Sequence, residues 1–159
     1  MKKWLLLIML FLLGNTCKTT SLNSFPPSLF GIDPASWIKV PVQVDISIIV
    51  RSSSLSWVKE VRTKVSVINI LKGFAVLIAP HGYLSGEVAA LYFPRENAEE
   101  AWVLLYKFDD LPPYRSPLTL KSATVWLNSL NLSSGSKLDC RFEIIDSNVK
   151  RGVFTITAP

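Results

Sequence analysis

The chain has 159 residues, 49% of them hydrophobic and 18% charged, with a formal net charge of +5. That length suits one ordinary domain with its own core and no need of disulfide or metal staples. Two of the 17 basic residues, Lys2 and Lys3, open the chain, and the remainder carries 15 basic against 12 acidic groups; nucleic-acid partners ask for a more concentrated basic face than that, and none is expected.

Lys2 and Lys3 precede an apolar run, Trp4 to Leu13, which gives way to Gly14, Asn15, Thr16 and Cys17. Charge, apolar run, then small polar residues is the order of a secretory signal, and the run is well short of the roughly 20 residues that span a bilayer. Residues 1–16 are therefore expected to be a signal peptide that is removed. Leu12-Leu13-Gly14-Asn15-Thr16-Cys17 resembles the bacterial lipoprotein pattern, in which a leucine three residues before a cysteine is followed by small residues and the exposed cysteine is acylated. Here glycine stands three before the cysteine, and Asn15 and Thr16 are larger than usual. The resemblance implies lipid attachment at Cys17, the membrane as partner through that anchor, and a place in the bacterial cell envelope, at the outer membrane or cell surface. Ordinary cleavage nearby is the alternative, with a periplasmic or secreted product. The same fork governs Cys140, the only other cysteine: a lone buried thiol if Cys17 is acylated, a bridge partner for Cys17 if it is not.

Lys18 to Ser24 is polar and lacks the apolar surface to order itself. Pro26, Pro27 and Asp33-Pro34 then interrupt regular structure. Residues 17–36 are expected to form the lipid-attachment cysteine and a flexible tether, and 37–159 a β domain. Ile38, Val40, Val42, Val44, Ile46, Ile48 and Val50 alternate with mostly polar residues, which predicts a strand with one buried face, and Pro41 places its early part at an edge or bulge. Trp57 to Val67 reads as a second amphipathic strand. Phe74 to Ala79 is apolar throughout and reads as buried on both faces. Val88 to Phe93 and Trp102 to Phe108 are strands, with a helical turn around Asn97 to Ala101 suggested by Asn97 and Glu100.

Asp109 to Pro117 reads as the longest irregular connection. Leu118 to Leu127, Leu138 to Ile144 and Val153 to Thr157 complete the set, with Asn148 to Gly152 as the last hairpin loop. Many short strands between turn signals predict an all-β fold: a single antiparallel β-sandwich of about eight strands, with a small closed β-barrel as the alternative.

No residue pattern points to a catalytic or metal site, and no cofactor is expected. His81 stands alone in a Pro-Gly turn, whereas zinc sites and histidine triads need partners. Glu99-Glu100 and Asp109-Asp110 are sequence neighbours, which in extended chain point to opposite faces rather than across a cleft. The candidate surface residues are Arg62 and Lys64, on one face of a basic group with Arg51, Lys59 and Lys72, and Tyr83 and Tyr114, in loop contexts. The function read from the chain is a non-enzymatic envelope lipoprotein binding a protein or glycan of the envelope. The alternatives are a soluble barrel carrying an apolar ligand, which requires an internal cavity, and a hydrolase of envelope polymers.

Overall fold

Ten strands form among the described residues (26, 28–29, 31–56, 63–80, 86–111 and 114–159) of this computed structural model. They are β1 Ile38–Val44, β2 Ser54–Ser56, β3 Thr63–Ile70, β4 Gly73–Pro80, β5 Gly86–Pro94, β6 Glu100–Phe108, β7 Arg115–Pro117, β8 Ser122–Leu127, β9 Lys137–Ile145 and β10 Val149–Thr157. The expectations for Cys17, Arg62, His81 and Tyr83 fall on residues outside that set. The strands make one sheet in the order β2-β10-β9-β8-β1-β6-β5-β4-β3, with β7 on the lower half of β6. The fold is all-β, and the sheet bends into a nearly closed barrel flattened into two leaves.

The bend is made by β1, which changes partners along its length. Ile38 to Pro41 pair antiparallel with β6, and Val42 to Val44 pair parallel with β8. Among the described residues this is the one parallel contact in an otherwise antiparallel sheet. Pro41, which has no N–H to donate, stands where the strand leaves β6, between the two ladders. The proline thus marks a corner and not an edge. The strand is also shorter than its sequence alternation, which runs on to Val50. Asp45 accepts hydrogen bonds from the amide and hydroxyl of Ser47, a local turn that competes with the ladder. Ile46, expected on the buried face, consequently lies exposed.

Period two decides what fills the barrel. Val65 and Val67 on β3, Phe74, Val76 and Ile78 on β4, and Ala89, Leu91 and Phe93 on β5 point inward. They meet Val125, Leu127, Leu138, Cys140, Phe142, Ile144, Phe154 and Ile156 from the other leaf in one continuous core. The Phe74 and Phe93 rings pack at 5.4 Å and those of Phe142 and Phe154 at 6.0 Å. Each fully buried phenylalanine contributes about 1.5–3 kcal/mol of transfer free energy. A filled interior of this kind gives no support to the apolar-carrier reading. At the seam, where β3 and β10 do not pair, Lys64, Val65, Val67, Ile156 and Thr157 border a concavity of about 840 Å³.

A second cluster covers the outer face of β4, β5 and β6: Ala75, Ala90, Tyr92, Trp102, Leu104 and Tyr106, joined by Leu29, Ile32 and Trp37. Trp37 meets Tyr92 edge to face, with ring centroids 6.3 Å apart. This second layer explains why Phe74 to Ala79 is apolar at every position, since both faces of β4 are covered. It also moves the start of the folded body from Trp37 back to Leu29, so that the later part of the expected tether is docked. The turn around Asn97 is a strand hairpin and not a helical turn: Asn97 N–H donates to the Pro94 carbonyl, and Glu100 already belongs to β6. Likewise Val149 to Gly152 are strand and not loop, the last turn being tightened to Asp146–Asn148 by the Asp146 carboxylate.

Candidate functional site

The outer face of the second leaf follows from strict alternation on three paired strands. Val125 and Leu127 face the core from β8, as do Cys140, Phe142 and Ile144 from β9 and Gly152 and Phe154 from β10. Their neighbours Trp126, Arg141, Glu143, Arg151 and Val153 therefore face outward. Register then places Trp126 beside Arg141 and Arg141 beside Val153, with Glu143 directly opposite Arg151 one row below. Ser54 on β2 pairs with Val153 and completes the row.

A trough of about 330 Å³ opens among these side chains, lined by Trp126, Arg141, Glu143, Arg151, Val153 and Ser54. The Arg141 guanidinium lies 4.4 Å from the centre of the Trp126 ring, a cation–π contact, and its Nη2 is 3.0 Å from Asp45 Oδ2. Hydrogen bonds from the Ser47 hydroxyl and amide, helped by the Arg141 charge, outweigh the opposing effect of burial and hold the Asp45 carboxyl below its usual range. Arg141 is thereby fixed over the indole. Glu143 and Arg151 stand across from each other in register, yet no ion pair joins them among the described residues. The arrangement offers an aromatic wall, a carboxylate that accepts and a guanidinium that donates, all on the backbone of regular strands.

A different charged group closes the lower end of the barrel. Lys150 points inward from β10 and is 2% exposed; its Nζ lies 2.8 Å from both Asp146 carboxylate oxygens and 3.1 Å from Glu87 Oε2 on β5 of the opposite leaf. Burial alone would raise the Asp146 pKa, but hydrogen bonds from Lys150 and from the Asn148 amide outweigh it and hold the carboxyl below its ordinary value. At the upper end Arg95 donates to the carbonyls of Leu132 and Pro159 and stacks on Phe74. Both groups tie the two leaves together.

Of the surface residues singled out from the chain, Tyr114 and Lys64 lie among the described residues, and they stand on different elements. Tyr114 is exposed, in the left-handed region at φ 56°, and its carbonyl accepts from the Asp109 amide at the tip of the β6–β7 hairpin. Lys64 is exposed on β3, with β4 and β5 between it and β6. Lys72 stands in the turn after β3, and the end of that strand at Ile70 is about 20 Å from Lys64 at 3.3 Å per residue. The acid pairs are occupied structurally. Asp109 caps its own turn by accepting from the Leu111 amide, which holds its carboxyl low, and Glu100 pairs with Lys39 at 3.4 Å. Trp126, Arg141, Glu143 and Arg151 are the residues that sequence reasoning passed over. Arg141 and Glu143 are legible as the polar side of an alternating strand, but only register shows that Trp126 and Arg151 join them.

Cys140 faces the core from β9, fully buried and without a disulfide, and burial pushes its thiol pKa up. Since the thiolate is the reactive form, the folded protein is expected to leave Cys140 unmodified by iodoacetamide at pH 8 and to gain one label there in urea. Peptide mass spectrometry reads both states; labelling of the folded chain at Cys140 would contradict the burial.

The domain is thus a filled, barrel-like all-β body with a polar and aromatic trough on one outer face. No protein-family model matches the chain, and neither a curated protein nor a solved structure is significantly similar to it.

Proposed function

We propose that this chain is an exported lipoprotein of the bacterial envelope, anchored through Cys17, whose β domain is a non-enzymatic binding module. The observation that carries the anchoring is the order Lys2-Lys3, apolar run, Gly14 to Cys17 at the N-terminus. Two features support the binding reading. The chain enters the fold across the outer face of β4 to β6, where Leu29, Ile32 and Trp37 pack, whereas the trough lies on the outer face of β8 to β10, on the other side of the shared core. A domain held from the first face presents the second to its surroundings. The trough also combines one carboxylate with two guanidiniums and an indole, which is a binding set; a glycosidase needs two carboxyl groups facing each other.

Intact mass and detergent phase partitioning of the exported protein test the anchor, with Cys17→Ser alongside. Diacylglyceryl mass on the parent, together with movement of the variant into the aqueous phase, is the expected result. An unmodified, aqueous parent would overturn the anchored reading in favour of a periplasmic or secreted domain.

A further inference from the structure

We infer that the trough on the second leaf is a binding site for a neutral glycan. This rests on the reading of the domain as a binding module and names the ligand chemistry of its site. Charge decides against an anion. Arg141 is matched by Asp45 at 3.0 Å, and Arg151 is matched by Glu143 directly across the ladder. A carboxylate or phosphate brought to Arg151 would be set beside Glu143 as well, and a cation brought to Glu143 would be set beside Arg151. A neutral ligand brings no uncompensated charge to the site.

Hydrogen-bond chemistry then selects hydroxyl groups. Glu143 only accepts and Arg151 only donates, and no ion pair between them satisfies either among the described residues. A hydroxyl both donates and accepts, so one vicinal diol can donate to Glu143 with one oxygen and accept from Arg151 with the other. Ser54 supplies a further hydroxyl at the rim. The C–H face of a sugar ring needs an apolar, preferably aromatic, surface, and Trp126 with Val153 supplies it in the same trough. The Arg141 guanidinium at 4.4 Å and its Asp45 partner hold that indole in place, and the remaining groups sit on paired strands. The binding geometry is therefore present before the ligand arrives. A volume of about 330 Å³ falls at the lower end of the range, about 300–1,000 Å³, typical of small-ligand pockets.

The test is a titration of the full exported chain in a non-glycosidic detergent with maltohexaose, cellohexaose and chitohexaose, and with hexagalacturonate as the anionic comparison. It is read by tryptophan fluorescence and isothermal calorimetry. Saturable binding of at least one neutral hexasaccharide is expected, weakened tenfold or more by Glu143→Gln and by Arg151→Gln, with thermal melting of both variants matching the parent because both side chains lie at the surface. No binding of any neutral oligosaccharide overturns the inference. So does tighter binding of hexagalacturonate, or neutral binding that both variants retain. The titration does not depend on the lipid, so failure here and failure of acylation at Cys17 are separate results.

Discussion

Lys150→Met is expected to cost about 3–5 kcal/mol of folding free energy, a large share of the roughly 5–15 kcal/mol that holds an ordinary domain folded. The substitution keeps the shape of the side chain and removes its charge. What remains is Asp146, 9% exposed, beside Glu87, with no cation between two carboxylates that Lys150 had joined across the leaves. Glu87→Gln alone should cost far less, because that carboxyl is 31% exposed, its attraction to Lys150 is screened by water, and Lys150 keeps Asp146. Adding Asp146→Asn and Glu87→Gln to Lys150→Met should restore part of the loss, since removing every member of a buried ionic group costs less than orphaning one.

The pH dependence identifies the cause. In the parent, Asp146 has a depressed pKa, so its contribution is complete above its unfolded value near 4 and is lost as pH falls through the lower folded value. In Lys150→Met the hydrogen bonds and charge from the ammonium are gone and burial dominates, which raises the Asp146 pKa above the unfolded value. Stability of the variant then falls as pH rises through that region, so its deficit should be largest at pH 7 and shrink toward pH 4.5. Urea unfolding of both proteins at the two pH values reads this directly. A deficit independent of pH would assign the loss to packing instead of charge.

The all-β class and most strands were legible because a half-buried strand must alternate and a strand covered on both faces must not. Lys137–Ile145 shows the first case, with Leu138, Cys140, Phe142 and Ile144 inward. Phe74 to Ala79 shows the second. Alternation misled where local hydrogen bonding ended the ladder: Ile46 keeps the pattern, but the Asp45–Ser47 turn removes it from the sheet. It also concealed Lys150, an inward-facing charge that reads as loop until the partners Asp146 and Glu87 are seen around it. The trough was illegible for a different reason. Its side chains come from β2, β8, β9 and β10, and pairing between strands is a tertiary fact that the period within one strand does not contain.

The second large effect is expected at Gly73, the first residue of β4, where Gly73→Ala should destabilise the fold by about 3 kcal/mol. The backbone there is extended and within reach of any residue, so the requirement for glycine comes from space and not from conformation. A methyl group would run into the carbonyl oxygen of Phe93 and lie 2.8 Å from Cε2 and 2.9 Å from Oη of Tyr92. Neither neighbour is free to retreat. Phe93 is backbone in β5, held between β4 and β6, and its ring packs on Phe74 in the core. Tyr92 is 1% exposed and braced edge to face by Trp37. Gly152→Ala provides the comparison. Its methyl group would meet the tip of Leu55, a flexible side-chain end on the three-residue edge strand β2, then Phe142 Cε1 at 2.8 Å and the Ser54 carbonyl at 3.1 Å. An edge strand held on one side can shift away, so the cost at Gly152 should be smaller, about 1–2 kcal/mol. Chemical denaturation of the two variants measures the difference, and near-ultraviolet circular dichroism should change at the Trp37–Tyr92 pair for Gly73→Ala alone. Equal losses at the two sites would mean that β5 yields as readily as β2, and that the outer cluster does not brace the first leaf as its burial implies.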